Sequence, residues 1–241
     1  MSRGFRYTLI AVVAGVVLFV GGPWVYINFV REDAPESFVD QATATTVATG
    51  DTAAPTTIAA SDTTESSVLS DPSGVWQVSA DSQVGYRVDE VLFGQNVTAV
   101  GRTNAVVGSI EISGSEVTAA KFEVDMTTVT SDEPKRDAQF VSRIMDTLNY
   151  PTSSFVLDSP IALPADATNT SVSHTARGTL TLRGTAKNVE LTVVSSVQDG
   201  RIVVVGEIPV VFSEWGIPNP SIPGISTEDT GILEFNLVLE R

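Results

Sequence analysis

The sequence predicts an all-β domain closed as a barrel and carrying one helix, set behind an N-terminal region of different character. Three observations predict it. After residue 75, short runs rich in Val, Ile and Thr recur between Gly, Asp, Asn or Pro, and many alternate apolar with polar side chains. One stretch breaks that rhythm with apolar spacings of three and four, the pattern of an amphipathic helix. Each strand carries one dry face, and closure removes the exposed edges an open sheet must protect, which favours a barrel over a sandwich.

Residues 8–30, TLIAVVAGVVLFVGGPWVYINFV, form a run of 23 residues without a charge. About 20 suffice for a helix to cross a hydrocarbon core roughly 30 Å thick. Arg3 and Arg6 precede this segment, whereas Arg31 after it is offset by Glu32 and Asp33. The positive-inside bias therefore puts the N-terminus in the cytoplasm and the remainder outside. Trp24 and Tyr26 suit the outer interfacial belt. A cleaved signal peptide, cut after Gly22, is the competing reading, and Pro23 at the first mature position disfavours it. Residues 1–31 are read as a cytoplasmic N-terminus and a transmembrane signal anchor in the cytoplasmic membrane.

Residues 32–74 hold eight acidic side chains, no basic one, and mostly Thr, Ser and Ala. Large apolar residues are too few to offset the entropy of ordering, so the segment reads as a disordered acidic linker. As a flexible coil of about 40 residues it would span roughly 35 Å. Its Thr and Ser beside Pro35, Pro55 and Pro72 suit either a plain spacer or one carrying O-linked sugars.

The domain, residues 75–241, opens with Val84, Tyr86 and Val88 on one face against Gly85 and Arg87. Phe122, Val124 and Met126 then oppose Lys121, Glu123 and Asp125. The helix is expected within residues 131–151, where Phe140, Val141, Ile144, Met145 and Leu148 make the apolar stripe. Ser131 or Asp132 can cap it, Pro134 fits an initial position, and Asn149 and Pro151 stop it. Further dry faces follow at Phe155 and Leu157, Leu180 and Leu182, and Val189, Leu191 and Val193. Asp199-Gly200 marks a two-residue hairpin. The last strand sets Ile232 or Leu233, with Phe235, Leu237 and Leu239, against Glu234, Asn236 and Glu240.

Several runs together resemble the YceI-like family: WQVSADSQVGYRV, VGRTNAVVGSIEI, the KRDAQF entry to the helix, its NYPTSSF exit, GTLTLRGTAKNVEL and the final ILEFNLVLE. The resemblance covers essentially all of residues 75–241. It implies an eight-stranded antiparallel, lipocalin-like barrel whose apolar lumen takes a polyisoprenoid or other long amphiphile without a cofactor. Two features depart from the family pattern. Thr103 stands where many relatives have Phe, and a proline-rich WGIPNPSIPG loop precedes the last strand.

Composition narrows the chemistry further. The absence of Cys excludes disulfides, thiol catalysis and cysteine-ligated metals, and a single His excludes a histidine-rich metal site. With 14 basic against 29 acidic residues, nucleic acid is an unsuitable partner. Acidic residues fall mainly on wet strand faces or turns, and no G-x-S-x-G, P-loop or G-x-G-x-x-G motif occurs, so catalysis is not expected. A barrel of this size either fills its interior or holds one small ligand. In the second case Val84, Tyr86, Val88, Phe122, Val124, Met126, Phe155, Leu180, Leu182, Phe235 and Leu237 would line it. Arg136 and Asp137 match the family's Arg-Asp pair and are head-group candidates, although Arg136 also has a helical ion-pair partner in Asp132. His174 reads as a surface or capping residue. Trp215 reads as a lid over the barrel mouth or a plug against its rim. The functional expectation is a membrane-anchored extracytoplasmic lipid-binding protein, with a filled-core envelope module as the alternative.

Overall fold

The computed structural model describes residues 34–47, 71–164 and 171–241, together with Val25 and Phe29. The expected membrane anchor and most of the linker lie outside the described residues. Among the described residues no helix is long and apolar enough to cross a membrane.

Helix α1 (Phe38–Val47) precedes the domain. The strands follow as β1 (Gly74–Val78), β2 (Gln83–Leu92), β3 (Gln95–Thr103), β4 (Val106–Ser113), β5 (Glu116–Asp125) and β6 (Thr130–Ser131). After helix α2 (Pro134–Gln139) come β7 (Thr152–Leu157), β8 (Ile161–Ala162), β9 (Val172–Leu182), β10 (Thr185–Gln198), β11 (Arg201–Val211), β12 (Ile225–Thr227) and β13 (Thr230–Glu240). The antiparallel ring β1-β4-β5-β7-β9-β10-β11-β13 closes where Val78 pairs with Leu239. The domain is therefore an eight-stranded barrel.

Two wall strands are interrupted. β1 and β2 both pair with β13, and β3 and β4 pair with β2 and β1 in turn, so each couple is one wall strand interrupted by a short non-strand segment. At the first bend Ser82 is fully buried, and its hydroxyl accepts from the Val238 N–H at 2.9 Å and donates to the Val238 carbonyl at 3.1 Å. A side chain thus replaces the ladder where the backbone leaves it.

The hairpin at Asp199-Gly200 forms with both residues at positive φ, 50° and 76°, joining Gln198 to Arg201. In the last strand the open choice resolves toward Leu233, which packs on the core, while Ile232 is exposed on the outer face.

Three expectations need correction. The helix is shorter than its apolar stripe: α2 ends at Gln139 and a π-helical turn takes over from Phe140 to Ile144. The wider turn buries Phe140 and Met145 but leaves Val141 and Leu148 exposed, and Glu133, not Ser131 or Asp132, caps the start. Secondly, the linker holds a helix, Phe38–Val47, whose start packs on the barrel. Ser37 caps α1 by accepting from the Asp40 N–H at 3.1 Å, and Phe38, 4% exposed, sits under the Arg102 guanidinium 4.0 Å from the ring centroid. One aromatic ring and a cation supply the burial that the rest of the segment lacks. Thirdly, Glu234 is on the outer face yet fully buried, because this segment covers it. Arg102 bonds it at 2.8 Å and also donates to the Glu36 carbonyl, while Arg87 donates to the Pro35 carbonyl at 2.7 Å.

Candidate functional site

The inward faces do not meet. They enclose a cavity of about 740 Å³ that runs the length of the barrel, from Arg136, Phe140 and Pro220 at one end to His174, Ser195 and Pro164 at the other. The lumen is open, in the size range of roughly 300–1,000 Å³ typical of ligand pockets.

Its shape follows from glycine and aromatic pairs on the wall. Tyr86 lies over Gly101, Phe155 over Gly178 and Phe235 over Gly206, so close that a Cβ on each glycine would meet the ring at 2.3–2.5 Å. Each ring lies along the wall because its cross-strand or neighbouring partner has no side chain. The lumen stays empty where the rings would otherwise stand.

The helical end carries the polar groups. Tyr86 stacks on Phe140, with centroids 5.3 Å apart, and burial pushes its phenol pKa above the usual range. Glu90 continues the inward series of Val84, Tyr86 and Val88 and is 8% exposed. Arg136 reaches it at 3.5 Å and bonds Asp132 with its other terminal nitrogen. Burial opposes the guanidinium charge, but the Glu90 and Asp132 carboxylates outweigh it and hold the Arg136 pKa above its ordinary value. Nearby on β7, the Ser153 hydroxyl is buried on the cavity wall without a protein partner. The arrangement offers one cation, one anion and a hydroxyl beside an apolar channel.

The opposite end gathers around one tryptophan. Trp76, 1% exposed, sits among Ile110, Ile112, Val117, Ile202 and Leu239, donates to the Pro72 carbonyl at 2.8 Å and lies under the Arg241 guanidinium.

A model of the YceI-like domain matches residues 76–239. The chain belongs to the YceI-like family. The barrel is similar to Burkholderia cenocepacia BcnA, with 19% identity and a TM-score of 0.54 over 67% of this chain and 98% of that one. It is similar also to a polyisoprenoid binding domain from Saccharophagus degradans implicated in plant cell wall breakdown, with 15% identity, a TM-score of 0.54, and 69% and 97% covered. At these identities the likeness is one of fold. No curated protein matches the sequence. Among the described residues no three metal-ligating side chains gather.

All eleven dry-face residues named from strand alternation line the cavity, and so does Arg136. Asp137 does not: it accepts from the Ser131 N–H at 2.9 Å and hydroxyl at 2.6 Å, tying β6 to the helix. Trp215 is a buried plug rather than a lid in contact with the lumen. It is 4% exposed, packs with Phe212 and Ile217, and leaves those two to line the cavity. Thr103, the departure from the family pattern, is buried with its hydroxyl 2.6 Å from that of Thr128.

His174 is not a surface residue. It lines the cavity, 9% exposed, with Nε2 3.0 Å from the Ser195 hydroxyl, and burial lowers its pKa. Sequence reasoning also missed Glu90, although its signal was present: strand parity from Val84 through Val88 carries straight on to it.

Proposed function

We propose that this YceI-like barrel binds a long apolar lipid, a polyisoprenoid or similar amphiphile, in its lumen, with Arg136 at the ligand's polar end. The cavity of about 740 Å³ carries this reading, because its walls are almost wholly aliphatic and aromatic and one partly buried cation, Arg136, stands at one end. Apolar burial contributes roughly 25 cal/mol per Å², which favours a long hydrocarbon chain there, and a phosphate or hydroxyl head matches the guanidinium. The name of the Saccharophagus degradans relative points to the same ligand class. Carriage, storage or sequestration of such a lipid all use this chemistry.

The uncharged run at residues 8–30 further supports a protein tethered to the cytoplasmic membrane with its barrel outside. Mass spectrometry of an organic extract from the purified protein tests the ligand. A stoichiometric amphiphile is expected, and an empty extract from protein that also fails to take up a fluorescent polyisoprenoid would overturn the reading. N-terminal sequencing of membrane-extracted protein tests the tether, and a mature start between residues 23 and 35 would overturn it.

A further inference from the structure

Charge at the helical end of the lumen does not balance. Arg136 is the one lysine or arginine among the residues that line the cavity. It meets two carboxylates, Glu90 at 3.5 Å and Asp132 through its other terminal nitrogen. Asp137 adds a third carboxylate to the same stretch of chain, and its bonds go to the Ser131 N–H and hydroxyl. The other two cations of residues 131–151 lie elsewhere. Lys135 is exposed, and Arg143 donates to the carbonyls of Asn219 and Pro220 at 3.2 and 3.1 Å.

Glu90 is the carboxylate that meets the lumen. It is 8% exposed, lines the cavity and bonds Arg136 through Oε2. Among the described residues its other oxygen, Oε1, has no hydrogen-bond partner. A carboxylate taken out of water is costly unless its lone pairs are met by donors. A ligand group that donates to Oε1 lowers that cost, whereas one that brings more negative charge raises it.

We infer that Glu90 selects the ligand's head, its Oε1 accepting from the hydroxyl of a neutral polyisoprenoid alcohol and its charge turning a phosphate away. The inference rests on the lipid-binding reading above and narrows it to one of the two heads that a guanidinium can meet. Arg136 is already matched by Glu90 and Asp132. A phosphate monoester, about −1.5 to −2 at neutral pH, would bring charge that no cation of the lumen is left to balance. Repulsion between like charges is strong in such a site because little water screens it. A hydroxyl adds no charge and supplies the missing donor.

Displacement of a fluorescent polyisoprenoid from the full-length protein tests this, with geranylgeraniol and geranylgeranyl monophosphate as competitors. For the wild type the alcohol should act at a concentration about tenfold or more below the monophosphate. Glu90→Gln keeps an acceptor oxygen and removes the charge. The alcohol should then stay within about threefold, while the monophosphate gains about tenfold or more. Asp132→Asn removes the same charge from a side chain that is 44% exposed, where water screens it, so its gain should be smaller. Equal gains in the two variants, a ratio unmoved by Glu90→Gln, or a wild type that takes the monophosphate as well as the alcohol overturns the inference. The wild-type comparison needs no variant, so it decides even if Glu90→Gln fails to fold. A wild type that takes up no probe removes the lipid reading together with the inference. One that takes up the probe and prefers the monophosphate removes the role of Glu90 alone.

Discussion

The two ends of the barrel are built from the same wall strands and do opposite things. At the Trp76 end, apolar side chains that also line the cavity pack around one almost wholly buried indole. At the helical end the wall strands do not close on themselves. A six-residue helix and a π-turn bridge the gap, and Arg136, Glu90 and Tyr86 place polar atoms at the cavity. Close packing yields stability, whereas a loosely bridged end leaves polar groups facing the cavity. The difference lies in how many side chains compete for the same volume.

If the Trp76 end holds the barrel together, Trp76→Ala should be the most damaging single change. It should cost about 3–5 kcal/mol, as measured by denaturant unfolding. A loss below 1 kcal/mol would show that this end does not carry the stability.

At the helical end, Arg136→Ala should cost less, about 1–3 kcal/mol, because it leaves the buried Glu90 carboxylate without its cation. Its sharper effect should be on ligand choice. Uptake of a polyisoprenyl phosphate should fall at least tenfold while uptake of the corresponding neutral alcohol stays within twofold, and an equal loss for both would remove Arg136 from the head-group role.

Leu182→Trp and Met126→Trp probe the space between the ends. In an open lumen either replacement should move stability by less than about 1 kcal/mol, instead of the 1–3 kcal/mol typical of overpacking a full core. Either should also block polyisoprenoid uptake. Calorimetry and uptake on the same samples check both halves of the expectation.

The smallest effect should come from His174. Burial lowers its pKa in the folded state, so the unfolded chain binds the proton more readily. Its contribution is complete above the unfolded value of about 6.5. It is lost as pH falls through the depressed folded pKa. As the chain's single histidine, it should account for any slope of melting temperature between pH 7 and pH 5, and His174→Gln should flatten that slope.

Parity along the strands was legible because each strand has one dry face. Tyr86, Phe122, Leu180 and Phe235 were placed on the lumen from alternation alone. Glu90 obeyed the same parity but was passed over, since a carboxylate on a dry face makes sense only once Arg136 stands opposite it. The start of α1 was marked by Ser37 three residues before Asp40, yet that signal is weak in a run of Thr, Ser and Ala. What makes the helix persist is a site on the barrel wall, Arg102 over Glu234, assembled from β3 and β13.

Alternation, turn residues and composition by themselves determined the strands around Tyr86, Phe122, Phe155, Leu180, Leu191 and Phe235, eleven of the lumen-facing residues, the hairpin at Asp199-Gly200 and the exclusion of thiol and histidine-cluster chemistry. These follow from local periodicity and residue counts, which need no knowledge of what lies across the fold. Tertiary structure alone decided that the lumen is open, that Glu234 is buried, that His174 faces inward and that the helix relaxes into a π-turn. Each of these depends on the volume and charge that distant strands bring to one place: a ring lies flat against the wall only where its neighbour is a glycine, and a carboxylate is buried only where two arginines meet it.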